Sequence, residues 1–470
     1  MNTPVVDYVR QYIERGGVRA HMPGHKGASF LGFEQFDITE IKDADYLYLA
    51  EGIIAESEAN ATFLFGSGKT IYSTEGSSQC VKGMLALALL EWKKKNPGKR
   101  PFVVAARNAH ASFIHAAALL DLDVKWIWPE EKSGNICKCD VTGKMLEAVL
   151  ASCKYPPAAV FVTSPDYLGN TIDLKELADV CHRYGTILTV DNAHGAYFNF
   201  LDEEKYTDFV HPMKCGADMC CDSAHKTLPV LTGGAYLHIN KGHDELASQA
   251  KYAMSLFGST SPSYLILRSL DLCNRYLAEG YEDNLLKFCG KMDRLKEKIG
   301  KNGWEVMKSD PMRLTIKTPD GLTGSELADL LRENGIECEY SDNDYVVMML
   351  TMHNKDEDLD RIVDALGTNE RPAGKITGVT SDIRHDNIKT AMSIRDAVFA
   401  PHEKITASQS VGRICATPTI ACPPAISIAV PGEVITKELA EAFVRFDIEY
   451  VEVIIKDEND NKGRFVKAIC

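Results

Sequence analysis

The chain has 470 residues, of which 45% are hydrophobic and 25% are charged. This balance is ordinary for a globular protein, and the length predicts two or three domains. The net charge of −14 argues against broad nucleic-acid binding, which needs a basic face. Because the sequence has neither an apolar run long enough to span a bilayer nor a signal-peptide h-region, we expect no membrane partner and a cytoplasmic location.

The 14 cysteines are scattered along the chain and form no paired CxxC pattern. In a long chain of this kind, scattered cysteines are typical of reduced thiols rather than of disulfides. We therefore expect no metal site.

The first 60 residues are predicted to begin with a helix, Val5–Arg15, which ends at Gly16 and Gly17. A glycine-containing turn with the sequence HMPGHKG follows at His21–Gly27. Residues 28–60 show no regular pattern and are rich in acidic residues, of which Asp43 and Asp45 are candidates for attracting a cationic ligand.

From about residue 69 the pattern alternates between short strands and amphipathic helices. The predicted strands are Thr70–Ser73, Phe102–Ala105, Val124–Ile127, Ala159–Thr163, Thr186–Val190 and Met219–Asp222, and the helices are Gln79–Lys95, Ser112–Leu120, Met145–Ser152 and Leu174–Arg183. Such alternation predicts an α/β fold with a mostly parallel sheet covered on both faces. Ligands of these sheets bind at the carboxyl ends of the strands.

After Ser261 and Pro262 the pattern changes to a long helical stretch and then to α+β segments. We predict a helical stretch Ser263–Ile299, strands near Met312–Lys317 and Tyr345–Leu350, a linker at Thr368–Gly378, and a helix Lys437–Arg445 before a final strand. These changes predict four parts: an N-terminal arm and active-site segment (1–60), a large cofactor-binding domain (61–265), a small α+β domain (266–370) and a C-terminal domain (371–470).

Three groups of polar residues lie at predicted strand ends. Gly76, Ser77 and Ser78 follow Glu75 and open a helix, where backbone N–H groups favour an anion such as a phosphate. Asp191 ends a strand and can pair with a protonated pyridine nitrogen. Lys226 follows His225 after another strand, where desolvation and a positive neighbour make a lysine a better nucleophile.

Each group alone has an ordinary structural explanation: a helix cap, a turn cap and a surface lysine. Their order along the chain is more informative, because pyridoxal 5′-phosphate (PLP) has a phosphate, a pyridine nitrogen and an aldehyde. The sequence therefore predicts a PLP enzyme in which Lys226 carries the cofactor as a Schiff base. His110, after the strand Phe102–Ala105, is placed where an aromatic ring can stack on the cofactor.

The sequence resembles the Orn/Lys/Arg decarboxylase family, whose fold is the aspartate-aminotransferase-like fold type I. The resemblance rests on these stretches: His21–Gly27, Glu75–Ser78, Arg107–His110, Asp191–Gly195, Ser223–Leu228, Leu231–Ala235, Ser259–Tyr264, Met392–Pro401 and Val430–Glu433. Of these, HMPGHKG and SxHKTL are specific. The chain resembles the short form of the family, which lacks an N-terminal receiver-like wing domain.

The resemblance implies a role for individual residues. Lys226 would attach the cofactor, Asp191 would bind the pyridine nitrogen, and His110 would stack on the ring. The phosphate ligands would be Gly76, Ser77, Ser78, Ser223 and His225. Ala193 and His194 would pack near the other face of the ring, and Thr260 or Ser261 would reach the phosphate of a neighbouring subunit. A homodimer or higher homo-oligomer is therefore expected.

The chain departs from the family pattern at four positions. The family usually has Asn or Gly where Glu75 stands and Gln where Gly233 stands. In the C-terminal segment, Thr417 replaces an acidic residue and Cys422 replaces a tyrosine. If this segment contacts the distal cationic group of the substrate, these two departures bear on specificity.

The resulting hypothesis is a PLP-dependent decarboxylase of a basic amino acid, with arginine favoured and lysine or ornithine as alternatives. Lys226, His225 and His110 are the candidate catalytic residues, and either of the first two can return a proton to Cα. A transaminase or another PLP reaction on an arginine-like substrate is the first alternative, because fold does not fix reaction type. A non-catalytic PLP-binding protein is the second.

Overall fold

The structure is a computed structural model, and it describes residues 1–129, 135–368, 388–421 and 424–455. Its helices are α1 (Pro4–Glu14), α2 (Ile53–Phe65), α3 (Gly76–Lys95), α4 (Ala111–Leu120), α5 (Gly143–Ala151), α6 (Leu174–Arg183), α7 (Ala224–Thr227), α8 (Asp244–Ser255), α9 (Tyr264–Ala278), α10 (Tyr281–Lys301), α11 (Gly324–Glu333), α12 (Asp356–Leu366), α13 (Ile394–Val398) and α14 (Lys437–Arg445).

The strands are β1 (Lys69–Ser73), β2 (Phe102–Ala106), β3 (Asp123–Ile127), β4 (Val160–Thr163), β5 (Leu188–Asp191), β6 (Met219–Asp222), β7 (Ala235–Ile239), β8 (Glu305–Val306), β9 (Arg313–Lys317), β10 (Tyr340–Ser341), β11 (Tyr345–Met349), β12 (His402–Thr406), β13 (Thr419–Ala421), β14 (Ile426–Ala429) and β15 (Tyr450–Ile454). None of the helices in these described ranges is long and apolar enough to cross a membrane.

The chain divides into two compact units, each assembled from separate stretches of sequence. Unit 1 comprises residues 1–99, 150–164 and 173–286, and unit 2 comprises residues 100–149, 165–172 and 287–470. The four consecutive parts expected from the sequence stay a prediction. The expected boundary at 370/371, and all of the expected linker after Thr368, lie outside the described residues.

Unit 1 contains a sheet whose strands follow the order β1-β7-β6-β5-β4. β4, β5 and β6 pair in parallel, whereas β7 pairs antiparallel with both β6 and β1. All residues of β5, β6 and β7 are buried, as expected of strands in a sheet that is covered on both faces. The carboxyl ends of β4, β5 and β6 therefore meet at one edge of the sheet.

Helices of unit 1 cover this sheet. Helix α3 packs against α8, and a Cβ added at Gly83 of α3 would lie 2.5 Å from the sulfur of Met254 in α8. A glycine at this position allows the two helices to approach closely. Three lysines in the last turn of α3 complement the negative end of the helix dipole.

Unit 2 contains the parallel pair β2–β3 and three smaller antiparallel sheets. The largest of these has the strand order β10-β11-β9-β8, and the others are the pairs β12–β15 and β13–β14. The C-terminal pair β12–β15 and helix α14 surround a small apolar core that includes Leu439, Phe443 and Val453.

Most predicted elements are present, but three features of unit 1 differ from the prediction. Residues 28–60 were expected to be irregular, yet α2 begins at Ile53. Strand β7 and helix α8 were not predicted at all. The helical stretch expected over Ser263–Ile299 is two helices, which break at Gly280 with a φ of +78°.

Helix α2 escaped prediction because its cap comes from a residue distant in sequence. The residue before it, Gly52, has no side chain to cap the helix. Instead the carboxylate of Asp45 accepts hydrogen bonds from the N–H groups of Gly52 and Ile54, both at 2.9 Å. Asp45, which the sequence offered as an attractor for a cationic ligand, therefore neutralises the first turn of α2.

Candidate active site

The parallel strands of unit 1 bring three polar side chains to one edge of the sheet. Thr163 ends β4, Asp191 ends β5 and Asp222 ends β6. In the register of the sheet, Asp191 lies opposite Thr163 on one side and Cys221 on the other. This is the edge at which open α/β sheets bind their ligands.

Asp191 is a buried carboxylate at this edge. Its Oδ1 atom accepts hydrogen bonds from the backbone N–H of Ala193 at 3.1 Å and from the thiol of Cys221 at 3.6 Å. Among the described residues, no hydrogen bond is made to Oδ2. Because Asp191 as a whole is buried, a hydrogen-bond donor or a cation stabilises its carboxylate, so Oδ2 suits a ligand that carries a proton on nitrogen.

Lys226 lies in the single-turn helix α7, directly after β6. Its Nζ atom is 2.9 Å from Nε2 of His194, which belongs to the loop that follows β5. The sequence analysis placed both residues in the site but did not anticipate this contact. It brings together two strand-end loops that are 32 residues apart in sequence.

The N-terminus of α3 has the features expected of a phosphate site. Gly76 begins the helix with a φ of +74°, and a Cβ added there would meet no atom within 4 Å. The capping residue Glu75 makes no side-chain hydrogen bond to the helix. The hydroxyl of Ser223 donates to that of Ser77 at 2.8 Å, so the structure brings together two of the predicted phosphate ligands. Ser78 follows Ser77 in the first turn.

Two departures from the family pattern lie beside this helix terminus. The N–H of Gly76 donates to the carbonyl of Gly233 at 2.7 Å. Gly233 has a φ of +98°, and a Cβ there would lie 2.9 Å from the carbonyl oxygen of Thr74. A side chain larger than hydrogen is therefore strained at Gly233. The carboxylate of Glu75 accepts the N–H of Ser259.

His225 is oriented by the loop that precedes β7. Its Nδ1 atom lies 3.0 Å from the carbonyl oxygen of Gly234, and its backbone N–H donates to the same oxygen at 3.2 Å. Since a carbonyl only accepts, Nδ1 carries the proton in this contact. The predicted role of His225 in phosphate binding or proton transfer stays a prediction.

Ser261 is exposed, and its N–H donates to the hydroxyl of Ser259 at 3.1 Å. Within the described part of the chain, no hydrogen bond joins Ser261 to the other predicted site residues. Its predicted contact with a neighbouring subunit stays a prediction.

His110, the predicted stacking residue, belongs to unit 2. It caps helix α4, because its Nδ1 atom accepts the N–H of Ser112 at 3.1 Å. Its backbone also forms a bridge with Ile426 in the C-terminal segment. The capping contact fixes the orientation of the imidazole ring, and its stacking role stays a prediction.

Arg107, three residues before His110, fixes the same C-terminal segment within unit 2. Its guanidinium donates to the carbonyls of Ser427 and Ile428, at 2.7 and 3.0 Å, and to the carboxylate of Glu433 at 3.3 Å. The two family motifs that contain Arg107 and Glu433 therefore form one buried ion pair.

Thr417, one of the two C-terminal departures, is half-buried. Its carbonyl accepts a hydrogen bond from the thiol of Cys415 at 3.0 Å. The other departure, Cys422, lies outside the described residues. None of the 12 cysteines that the structure describes forms a disulfide.

A buried hydrogen-bond network lies behind the strand ends and is not apparent from the sequence. Asp222 accepts hydrogen bonds from Asn192, His211 and His238, at 2.7, 3.0 and 3.1 Å. Asp222 and both histidines are fully buried. The only sequence signal was Asp222 itself, at a strand end three residues before His225 and four before Lys226.

The residues present fit PLP on structural grounds. The open start of α3 suits a phosphate, the free oxygen of Asp191 suits a pyridinium N–H, and the amine of Lys226 suits an aldehyde. All of these residues belong to unit 1.

Comparisons with known proteins agree with this fold. The sequence model described as "Orn/Lys/Arg decarboxylase, major domain" matches residues 3–307. The arginine decarboxylase of Bacillus subtilis (strain 168) is 30% identical over 466 residues, which cover 93% of this chain and 92% of that protein.

Solved structures match over similar lengths at lower identity. The constitutive lysine decarboxylase of Escherichia coli matches with a TM-score of 0.74 and 16% identity, over 97% of this chain and 82% of that one. The serine palmitoyltransferase of Sphingomonas wittichii matches with a TM-score of 0.53 and 15% identity, over 78% and 83% of the two chains. These likenesses confirm the predicted fold type I architecture. Together with the family match, they show that the chain belongs to the Orn/Lys/Arg decarboxylase family and is a PLP-dependent amino-acid decarboxylase.

Proposed function

We propose that this enzyme removes CO2 from a basic amino acid, that arginine is its favoured substrate, and that PLP attaches to Lys226. The choice of arginine is supported by the Bacillus subtilis relative, which is named an arginine decarboxylase and matches nearly the whole chain. The attachment to Lys226 is supported by one observation above all. The Lys226 amine contacts His194 at the same sheet edge that carries the buried carboxylate of Asp191.

When bound, PLP supplies an electron sink that stabilises the carbanion left by departing CO2. The carboxylate of Asp191 holds a proton on the pyridine nitrogen, which strengthens that electron sink. The burial of Asp191 supports this role, because a buried carboxylate gains most from a cationic partner. Ala193, whose N–H donates to Asp191, keeps the carboxylate in position.

The start of α3 holds the phosphate. Ser77 and Ser78 offer backbone N–H groups and hydroxyls at the positive end of a 20-residue helix, and Gly76, which has no side chain, leaves room for an anion there. Ser223 joins this group because its hydroxyl already contacts Ser77. These residues would hold the phosphate of PLP beside the strand ends that carry Lys226.

Lys226 binds the cofactor, and His194 orients the amine that does so. After CO2 leaves, Nζ of Lys226 or the imidazole of His225 returns a proton to Cα of the product. His110 stacks on the cofactor ring, and the enzyme acts as a cytoplasmic homodimer in which Ser261 reaches the neighbouring subunit.

The proposal is tested by supplying PLP and measuring CO2 and amine release from arginine, lysine and ornithine. We expect both products, with the highest kcat/KM for arginine. Release of a keto acid instead of CO2 would favour the alternative of transamination. Failure to release CO2 from all three amino acids would contradict the proposal.

A further inference from the structure

We infer that Asp222, together with His211 and His238, positions the two loops that carry Asp191 and Lys226. Asp222 is a positioning residue rather than a catalytic one, since it is fully buried and both of its carboxylate oxygens are engaged by Asn192, His211 and His238. The inference rests on the proposed function, because it assigns the buried network a part in the same site.

The first line of support is the place of Asp222 between the two loops. Its Oδ1 atom accepts the side-chain N–H of Asn192 at 2.7 Å, and Asn192 follows Asp191 directly. The backbone N–H of Asn192 also donates to the carbonyl oxygen of Cys221 at 3.0 Å. Asp222 itself precedes Ser223 and the helix that carries Lys226. One carboxylate therefore fixes the start of both loops.

The second line of support is that the other carboxylate oxygen of Asp222, Oδ2, is held by two histidines. Oδ2 lies 3.0 Å from Nε2 of His211 and 3.1 Å from Nε2 of His238. His211 is fixed in turn by the N–H of Met213, which donates to its Nδ1 at 3.4 Å. His238 is fixed by Thr70, whose hydroxyl oxygen is 2.8 Å from Nδ1. The carboxylate therefore cannot rotate without breaking several hydrogen bonds.

The protonation states agree with this arrangement. Burial alone raises the pKa of Asp222, but the two histidines hold this pKa well below its usual range. Burial lowers the pKa of His238 despite the nearby carboxylate. Within this network Asp222 is therefore a carboxylate that accepts hydrogen bonds from its neighbours. Buried charges of this kind persist only where such hydrogen bonds satisfy them.

The variant that tests the inference is Asp222→Asn, because the amide keeps the shape but turns one acceptor atom into a donor. Its matched control is Asp271→Asn. Asp271 is equally buried, but its hydrogen bonds reach Ser57 at 2.6 Å and the N–H of Val6 at 3.0 Å. The control therefore makes the same chemical change outside the strand-end loops.

The first readout uses protein without PLP. Hydrogen exchange of the backbone amides in residues 188–196 and 219–228 should be at least several-fold faster in Asp222→Asn than in the control, because the loops have lost a shared anchor. Equal exchange in the two variants would overturn the inference. If Asp222→Asn does not fold, Asn192→Ala removes the same link from the other side and is measured in the same way.

The second readout uses the enzyme loaded with PLP. We expect Asp222→Asn to lower kcat by about tenfold or more with little change in KM, since small displacements of reacting groups slow the chemical step. We also expect the pH midpoint of the visible cofactor absorbance to shift. The double variant Asp222→Asn with Asn192→Asp exchanges donor and acceptor, and should recover part of kcat. Unchanged kcat and an unchanged midpoint would overturn the inference.

The two proposals fail in different ways. If the wild-type protein neither binds PLP nor releases CO2, the proposed function is wrong, whereas the hydrogen-exchange comparison still measures the anchoring of the loops. If the wild-type protein is active and Asp222→Asn behaves like Asp271→Asn in both readouts, only the positioning role is wrong.

Discussion

The Nζ atom of Lys226 and the Nε2 atom of His194 are 2.9 Å apart. His194 is buried and Lys226 is half-buried, so the contact is partly shielded from water. An imidazole nitrogen beside an amine can accept its proton or orient its lone pair. This contact gives Lys226 an environment that an exposed lysine in a loop does not have.

Replacing Lys226 should therefore abolish cofactor attachment. In Lys226→Ala we expect the visible absorbance of the bound cofactor to disappear and kcat to fall by about a thousandfold or more, as when a covalent nucleophile is removed. The control is Lys241→Ala, because Lys241 is exposed in the turn after β7. Absorbance spectra and CO2 release should be unchanged in the control. An unaltered spectrum in Lys226→Ala would contradict the assignment.

A methyl group at the start of α3 should weaken phosphate binding. Gly76 and Gly98 have φ values of +74° and +77°, and a Cβ at either position would meet no atom within 4 Å. Alanine should destabilise the protein by about 1 kcal/mol at each position, because both residues have left-handed backbones. Only Gly76→Ala should raise the Kd for PLP, by about tenfold, which corresponds to about 1.4 kcal/mol. Fluorescence titration with PLP measures the difference, and equal Kd values would exclude a phosphate site at Gly76.

Removal of Arg107 should destabilise unit 2. Its partner Glu433 is buried, and burial raises the pKa of Glu433 although Arg107 lowers it. Arg107→Ala leaves this carboxylate without its cation, so we expect a loss of about 3–5 kcal/mol in the free energy of unfolding. Lys301→Ala breaks an exposed pair with Glu297, which water screens, and should change the free energy of unfolding far less. Urea denaturation followed by far-UV circular dichroism compares the two variants, and similar losses would contradict the prediction.

Asp271 should make the stability of the protein depend on pH. Burial raises the pKa of Asp271 to about 6, from an ordinary value of 3.8, against the lowering effect of its hydrogen bond from Ser57. The folded protein therefore binds more protons than the unfolded chain between pH 4 and pH 6. The free energy of unfolding should fall as the pH rises through this range, by at most about 3 kcal/mol from this residue. Asp271→Asn should lose that part of the pH dependence, which thermal denaturation at several pH values measures.

The positions of the candidate site residues were predictable where they depend on short, local patterns. Asp191 ends a short buried strand, Lys226 follows another, and Gly76 opens a helix shortly after β1. These positions could be inferred from periodicity and from residue type alone. The resemblance to the decarboxylase family then connected them, and the comparisons confirmed the family and the fold.

The features that escaped prediction depend on contacts between distant residues. Helix α2 is capped by Asp45, seven residues before Gly52, and no pattern within the helix reveals that cap. Strand β7 runs antiparallel to both of its neighbours, β1 and β6. The sequence does not show that β7 lies next to β1 in the sheet. The contact between Asp222 and His238 crosses from β6 to β7, so it could not be anticipated once β7 was missed.

The pairing of β1 with β7 also has a consequence for synthesis of the chain. Lys69 of β1 pairs with Ile239 of β7, 170 positions later, and β1 has no other neighbour in the sheet. At about 5–20 residues per second, a ribosome needs roughly 10–30 s to make the intervening segment. Throughout this interval the nascent β1 lacks its partner, and the N–H of Gly76 cannot yet donate to the carbonyl of Gly233. The start of α3, which is proposed to bind phosphate, is thus synthesised early, but its hydrogen bond with Gly233 forms only late.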